Sequence, residues 1–274
     1  SSASGQVVAG GAGYSGGLVG LNSNGTIAQS QASGAVSSSG GLATGGLVGR
    51  NEGDSVLTNV KASGNVTDNY GGDIGGLVGT NTAARVDTAE ATGKVTGGAS
   101  SRVGGLVGSN LNASLSHVIS RGNVFGGINS QVGGIVGSNS GVISSADTSG
   151  VVSGGANSSV GGLAGVNFGT LMASSSKSEV KGGARSRIGG LVGENQIQGR
   201  ISSSSSESSV SGDYYVSMGG IAGVNLGTIE YSGVSGKINF RPQSSYGQIY
   251  GSLVGENRGT LAGNYVTGEA AVLP

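Results

Sequence analysis

A short glycine motif recurs along this sequence at a nearly fixed interval and limits the folds that it can adopt. Its first copy is Gly16-Gly17-Leu18-Val19-Gly20, followed two residues later by Asn22. The steps between successive copies are 29, 30, 29, 29, 28, 28, 30 and 32 residues. The Leu or Ile of the nine copies falls at Leu18, Leu47, Leu77, Leu106, Ile135, Leu163, Leu191, Ile221 and Leu253. Self-similarity at this period is typical of a solenoid or another repeat array.

The repeat predicts that residues 1–274 form a single array and not a set of globular domains. Residues 1–15 would be a partial first coil, residues 16–250 eight full repeats, and residues 251–274 a last partial repeat. The chain begins at Ser1 and not at Met, so we expect it to be a section of a longer parent chain with flanking domains.

Each repeat predicts three short strands. The first is the (Ile/Val)-Gly-Gly-Leu-Val-Gly segment, as in Val103 to Gly108, and the others centre on an aliphatic residue such as Ile27 and on a valine such as Val36. No segment has the apolar spacing of a helix. Three strands per ~29 residues suit an all-β fold, a parallel β-helix (β-solenoid) of about nine coils that rises about 43 Å at ~4.8 Å per coil. A β-propeller blade would need about 40 residues.

The Leu-Val pair of each glycine motif leaves two interpretations open. Neighbouring residues of a strand point to opposite faces, yet both residues are apolar in nearly every copy. Either a corner or bulge at the glycines turns both side chains inward, or one column lies outside as an apolar stripe suited to lateral association.

An asparagine follows the glycine motif in every copy. Two roles are open to this column: a turn residue whose amide bonds to backbone and to the amides above and below, or a row of ligand-binding groups. We favour the structural role, and we expect the motif glycines to supply positive φ angles for tight turns. The column consists of Asn22, Asn51, Asn81, Asn110, Asn139, Asn167, Asn195, Asn225 and Asn257.

Composition argues against several classes of function. The net charge is zero, which disfavours a nucleic-acid partner, and no apolar run approaches the ~18 residues of a membrane span. The chain has no cysteine and one histidine, and its glycine motif carries no regular Asp, so no metal site is expected. The G-x-G-x-x-G match at Gly11 to Gly16 precedes no helix, so no dinucleotide or other cofactor is expected.

Catalysis would require grouped carboxylates on one face of the solenoid. Glu194 and Glu256 share the position after the glycine motif, but they lie two coils apart with Val224 between them. A separation of about 10 Å suits an inverting glycosidase pair, yet no other residue supports one. The sequence therefore predicts that the protein is not an enzyme.

The candidate binding patch lies in the segment before the glycine motif. Tyr and Arg together suit sugar rings and anionic groups, whereas the alternative is that the aromatic residues cover the solenoid and the charges keep it soluble. The candidates include two residues of the longest insertion, Asn239 to Tyr250. The proposed binding residues are Arg102, Lys181, Arg185, Arg187, Tyr214, Tyr215, Arg241 and Tyr246.

The motif Gly-Gly-Leu-Val-Gly-x-Asn, with Gly-Thr-Ile and Ser-Gly-x-Val downstream, resembles the GLUG repeat of large bacterial surface proteins. That repeat occurs in filamentous-haemagglutinin-like exoproteins, biofilm-matrix adhesins and the non-catalytic parts of immunoglobulin A1 metallopeptidases. The resemblance implies a secreted or cell-surface β-solenoid that forms part of a stalk. No HExxH is present, so it does not imply peptidase activity.

These observations predict a structural and adhesive repeat region of an extracellular bacterial adhesin. Its expected partners are an exopolysaccharide or a host glycan, with possible roles in cell–cell or biofilm cohesion. Two alternatives are a carbohydrate-active β-helix enzyme and a filament subunit that self-associates end to end.

Overall fold

The structure is a computed structural model that describes residues 1–239 and 247–267. The regular secondary structure of these residues consists of β-strands. The strands pair in parallel from each coil to the next and form three sheets. Pairing partners are about one repeat apart, as in Asn22 with Asn51 and Val224 with Glu256. The predicted all-β parallel solenoid of about nine coils, with ~29 residues per coil and three sides, is confirmed.

Sheet 1 is the long side and contributes two adjoining strand segments to most coils. Its first segments are Ser2–Ala3, Thr26–Ala32, Val56–Ala62, Arg85–Ala91, Ser114–Ser120, Thr170–Met172, Arg200–Ser202, Ser205–Ser206, Thr228–Glu230, Gly233–Val234, Thr260–Ala262 and Tyr265–Val266. Its second segments are Val7–Gly10, Val36–Ser39, Val66–Asp68, Val95–Gly97, Val124–Gly126, Ser209–Gly212 and Lys237–Asn239, while Val142–Gly154 and Ser175–Gly182 run through both.

Sheets 2 and 3 meet at the glycine corner. Sheet 2 precedes the corner and consists of Tyr14–Gly16, Ala43–Gly45, Asp73–Gly75, Arg102–Gly104, Gln131–Gly133, Ser159–Gly161, Arg187–Gly189, Ser217–Gly219 and Ile249–Gly251. Sheet 3 follows the corner and consists of Val19–Ser23, Val48–Glu52, Val78–Thr82, Val107–Leu111, Val136–Asn139, Ala164–Asn167, Val192–Asn195, Ala222–Asn225 and Val254–Asn257.

The bend between sheets 2 and 3 decides the orientation of the Leu-Val pair. The segment predicted as one strand, Val103 to Gly108, is interrupted after Gly104 and resumes at Val107. Leu106 lies in the bend and Val107 begins the next strand, and neither side chain is exposed to solvent. The corner interpretation is therefore correct, and the motif presents no apolar stripe to solvent in the inner coils.

The interior consists of two apolar cores that run along the solenoid. One lies between sheet 3 and the first segments of sheet 1 and contains Leu47, Val48 and Leu57. The other lies between the second segments of sheet 1 and sheet 2 and contains Val66 and Ile74. Each inner coil adds a layer to the first core, and the second core runs from Val66 to Ile238. Burial therefore depends on stacking and not on a single repeat.

The motif glycines were expected to supply positive φ angles, but the structure gives a different reason for them. They are not among the residues with positive φ, which include Gly53 and Gly72 instead. Sheets 2 and 3 pack back to back with their backbones in contact. A Cβ on Gly75 would lie 1.9 Å from the carbonyl oxygen of Val78, and one on Gly79 would lie 2.6 Å from the nitrogen of Thr44. The expectation of positive φ was wrong here, because close approach of backbones excludes the side chain.

The asparagine column forms a continuous ladder of side-chain hydrogen bonds. Each Nδ2 donates to Oδ1 of the asparagine one coil further along, at 2.8 to 3.0 Å, from Asn22 to Asn257. The second N–H of most members reaches a carbonyl of the following corner, as from Asn110 to Ala113 at 3.1 Å. The inner members, such as Asn139, are fully buried. The ladder therefore satisfies a row of buried amides while linking every coil to the next.

Serine replaces apolar residues in part of the interior toward the C-terminal half. Ser174, Ser204 and Ser232 are buried at a position that holds Val118 and Ala146 in earlier coils. The hydroxyl of Ser204 accepts from the backbone nitrogen of Ser174 at 3.2 Å, and that of Ser232 accepts from Ser204 at 3.2 Å. These serines remain compatible with burial because their hydroxyls bond to the neighbouring coil.

Substitution of a corner glycine tests the back-to-back packing. We expect Gly75→Ala to lower the free energy of unfolding by about 3 kcal/mol, because its methyl group must displace backbone atoms. Gly13→Ala is the matched control, since no atom lies within 4 Å of a Cβ built there. Urea unfolding followed by circular dichroism measures both, and equal midpoints would contradict the packing explanation.

Interruption of the amide ladder should destabilise the solenoid according to burial. Asn139→Ala leaves one N–H of the Asn110 amide and the Oδ1 of Asn167 without a partner in the interior, at an expected cost of about 2–4 kcal/mol. Asn257→Ala removes an exposed end of the ladder and should cost less than about 1 kcal/mol. Thermal unfolding of the two variants gives the comparison, and a similar loss for both would count against the ladder as the cause.

Candidate binding surface

The predicted binding residues that the structure describes lie on three different parts of the solenoid. Arg102 and Arg187 occupy the same outward position of sheet 2, three coils apart. Arg102 pairs with Asp73 at 2.5 Å, and Arg187 lies 3.4 Å from Glu194. Asp73 belongs to sheet 2 and Glu194 to sheet 3. Both guanidinium groups thus have a carboxylate partner, so neither is a free anion-binding group.

Lys181 lies on the outer face of sheet 1, away from the sheet 2 arginines. Its Nζ is 2.7 Å from Glu179 Oε1, and the pair is about half exposed. Arg241 and Tyr246, the two candidates from the long insertion, lie outside the residues that the structure describes.

The remaining three candidates, Arg185, Tyr214 and Tyr215, form one cluster. The guanidinium carbon of Arg185 lies 5.8 Å from the centroid of the Tyr215 ring, in cation–π geometry. The Tyr214 and Tyr215 rings contact edge to face, with centroids 5.8 Å apart and planes at 81°. Tyr214 is 50% exposed and Tyr215 is 48% exposed. We call these three residues the Tyr–Arg turn.

The Tyr–Arg turn is positioned by the connection between sheets 1 and 2. Arg185 and Tyr215 occupy equivalent places in consecutive coils, and both are in the left-handed region, with φ of 58° and 57°. The backbone nitrogen of Arg185 donates to the carbonyl oxygen of Tyr214 at 3.0 Å. A left-handed backbone conformation is unfavourable by about 1 kcal/mol for a residue with a Cβ. The conformation of this turn therefore does not explain why Arg and Tyr occur there. Other coils have Ser100, Asn129 and Asn157 at the same place.

Two further apolar side chains lie along the same edge and were missed by the sequence analysis. Tyr70 is 68% exposed and Ile128 is 53% exposed, and the strand register places both in the column of Tyr214. The signal was present in the sequence, because each lies four residues after the valine of its third predicted strand, Val66 or Val124. Ala99, Ala156 and Ala184 occupy the column between them. The edge therefore carries large apolar groups separated by small ones.

The residues weighed for catalysis remain apart. The register places Val224 between Glu194 and Glu256, and Glu256 lies 2.5 Å from Arg258. The histidine, His117, is exposed on sheet 1 with its Nδ1 3.1 Å from Asp87 Oδ1. Residues 1–239 and 247–267 contain no group of three or more His, Asp or Glu side chains that could hold a metal ion. The same residues include no helix with the length and apolarity that a membrane crossing requires.

Sheet 1 carries most of its charges as pairs between neighbouring coils. Glu90 lies between Lys61, at 3.0 Å, and Arg121. The pKa of Glu90 is lowered, first by the hydrogen bond from Lys61 and then by the charges of Lys61 and Arg121, against an opposing effect of burial. The hydrogen bonds that Ser116 and His117 make to Asp87 lower the pKa of that carboxyl as well.

The Glu90 pairs should stabilise the fold only while this carboxyl is ionised. Its pKa in the folded state is below the ordinary value of 4.5, so the contribution is present above that pH and disappears as the pH falls through the folded-state pKa. We expect Glu90→Gln to reduce unfolding free energy at pH 7 by less than about 1 kcal/mol, because the partners are exposed. The difference should shrink below pH ~4.5 and in 1 M NaCl, where screening is strong. Urea titrations between pH 3 and 7 test this, and a difference that grows on acidification would contradict it.

The family model of the GLUG motif matches two stretches of the chain, residues 40–67 and 70–96. Each stretch contains one complete glycine corner with its asparagine, Gly45 to Asn51 in the first and Gly75 to Asn81 in the second. None of the curated proteins and none of the solved structures matches the chain significantly. The chain therefore contains GLUG motif repeats, and they coincide with consecutive coils of the β-solenoid.

Proposed function

We propose that this chain is a rigid structural section of an extracellular bacterial adhesin, without catalytic activity. It would hold flanking domains of a longer parent chain at a fixed separation from the cell surface or the matrix. The observation that carries this proposal is the asparagine ladder, which continues without a break from the first coil to the ninth. The GLUG motifs and the resemblance to surface exoproteins support the location.

The mechanical argument follows from how neighbouring coils are joined. The three parallel sheets and the amide ladder cross each boundary between coils, and both apolar cores cross the boundaries between the inner coils. Bending at any boundary would separate hydrogen bonds on at least one side and expose apolar layers on another. A section built in this way transmits position and force along its axis, which a spacer requires.

An adhesive role is a second proposal and rests on a different observation. The edge with Tyr70, Ile128 and the Tyr–Arg turn exposes aromatic and apolar groups on a surface whose other charges are mostly paired. Aromatic rings that are half exposed suit stacking against pyranose rings. The expected partner is an exopolysaccharide or a host glycan that lies along this edge.

Distance measurements between spin labels test the rigid spacer. The chain has no cysteine, so labels can be attached at Ser23→Cys and Arg258→Cys, which follow the first and last asparagines of the ladder and are exposed. Eight coil steps predict a single narrow distribution of distances near ~38 Å. Ser23→Cys with Ser140→Cys is the matched control at about 19 Å, four coil steps apart. A broad distribution for the long pair, with a narrow one for the short pair, would overturn the spacer proposal.

The same samples distinguish the filament alternative. End-to-end self-association would add distances between molecules that increase with protein concentration and disappear on dilution with unlabelled chain. A spacer that does not associate gives a distribution that is independent of concentration, and analytical ultracentrifugation over the same range should show a constant sedimentation coefficient.

A further inference from the structure

The Arg185 guanidinium differs from those of Arg102 and Arg187 in having no carboxylate partner among the described residues. Arg102 pairs with Asp73 and Arg187 with Glu194, whereas no carboxylate of the described residues lies within ion-pair distance of Arg185. Its contact is with the face of the Tyr215 ring. The five N–H donors of an arginine form a planar fork that matches a carboxylate, so this group is available to an anionic ligand.

Tyr215 holds Arg185 in place and is contacted from both neighbouring coils. Its ring contacts Gly247 in the next coil, where a Cβ would lie 2.4 Å from the ring carbon Cδ1. Arg185 covers it from the preceding coil. The ring is thus fixed between two coils, which restricts the guanidinium above it. Tyr215 is therefore a positioning residue.

Tyr214 provides the exposed aromatic surface of the cluster. The two rings meet edge to face, so Tyr215 leaves at least one face of the Tyr214 ring uncovered. Half of the residue is exposed. Asp213, which precedes it, is also exposed and makes no ion pair within the described part of the chain. An aromatic face, a guanidinium fork and a carboxylate that accepts from hydroxyl groups are the elements that sugar recognition uses.

The backbone conformation of the turn does not account for the choice of Arg185 and Tyr215. Asn129, Asn157 and Gly247 occupy the same left-handed position as Arg185 and Tyr215 in other coils, and Asn and Gly adopt this conformation most readily. Asn or Gly would therefore be more stable than Arg185 and Tyr215 at these two positions, and the same chain has Asn or Gly at the equivalent position of other coils. Residues held in unfavourable backbone conformations cluster at ligand-binding sites.

We propose that the Tyr–Arg turn binds a uronic acid residue of an acidic polysaccharide. The carboxylate of the sugar accepts two N–H bonds from Arg185, while the pyranose ring stacks on Tyr214 and its hydroxyl groups reach Asp213. This deepens the adhesive proposal and rests on it, but it does not depend on the rigidity of the spacer.

A polymer with one carboxylate on each sugar ring suits the charge of this edge better than a densely sulfated or phosphorylated polymer. Recognition of such polymers needs a cluster of unpaired cations, whereas Lys181 and Arg187 are already neutralised by Glu179 and Glu194. The exposed Asp213 adds repulsion against a dense polyanion. A polymer also fits better than a single sugar, since Tyr70 shares the edge about 24 Å away, at five coil steps.

Titration with defined oligosaccharides tests this assignment. The probes are tetrasaccharides of galacturonic acid and of mannuronic acid, with their methyl esters, which have the same rings without the charge. We expect at least one acid form to bind at least tenfold more tightly than its ester by isothermal titration calorimetry. Arg185→Gln should reduce binding of the acid at least tenfold and leave the ester nearly unchanged, whereas Tyr214→Ala should weaken both.

Two variants separate binding from folding. Arg187→Gln removes the same charge from the neighbouring strand and should change affinity less than twofold, because Arg187 is paired with Glu194. Arg185→Asn should lose binding while its melting temperature stays equal to that of the parent or rises, because Asn suits the left-handed position. Equal affinity for acid and ester, an equal loss in Arg187→Gln and Arg185→Gln, or no binding of either acid at millimolar concentration would each overturn the proposal. None of these results would alter the spin-label distances.

Discussion

Parallel pairing of each coil with the next is the interaction on which the rest of this structure depends. Because the strands are hydrogen-bonded in register, every position is tied to the position about one repeat later. A residue type that suits a place in one coil suits it in all, and this produces the leucine, valine and asparagine columns. Length can change only where the pairing is interrupted. The corner after the asparagine is such a place, with two residues between Asn139 and Val142 but four between Asn51 and Val56.

The repeat period and the apolar columns were sufficient to predict the solenoid, because they report the stacking directly. The role of the glycines could not be obtained in the same way. A glycine required by positive φ and a glycine required by close backbone approach are identical in a sequence. Gly79 is excluded from bearing a side chain by Thr44, which belongs to another coil and another sheet. The back-to-back packing of sheets 2 and 3, which the sequence does not show, identifies close backbone approach and not positive φ as the reason for these glycines.

The same distinction applies to the binding residues. The sequence could place Arg102 and Arg187 in one column, since columns follow from the period alone. It could not predict that Arg187 faces Glu194, because that contact requires the chain to fold back at the glycine corner. The grouping of Arg185 with Tyr214 and Tyr215 follows from the register of the repeats and could be predicted from the sequence. The same register places Tyr70 and Ile128 in the column of Tyr214. The sequence could not show that Arg185 has no carboxylate partner among the described residues, because that depends on where each acidic side chain points.

A solenoid can accommodate unfavourable turns because its stability is a sum of local contributions. An Arg or Tyr in a left-handed conformation weakens one coil by about 1 kcal/mol, while the ladders and cores on either side are unchanged. In a compact domain with one core, the same loss would be shared by the whole molecule. The turns between sheets 1 and 2 are therefore the part of the coil where side chains can be selected for a ligand and not for packing. Since those turns stack along one edge, a binding residue in one coil is automatically aligned with those in others. A linear polymer is the ligand that such an edge is best placed to engage, because only a linear polymer extends along the same axis.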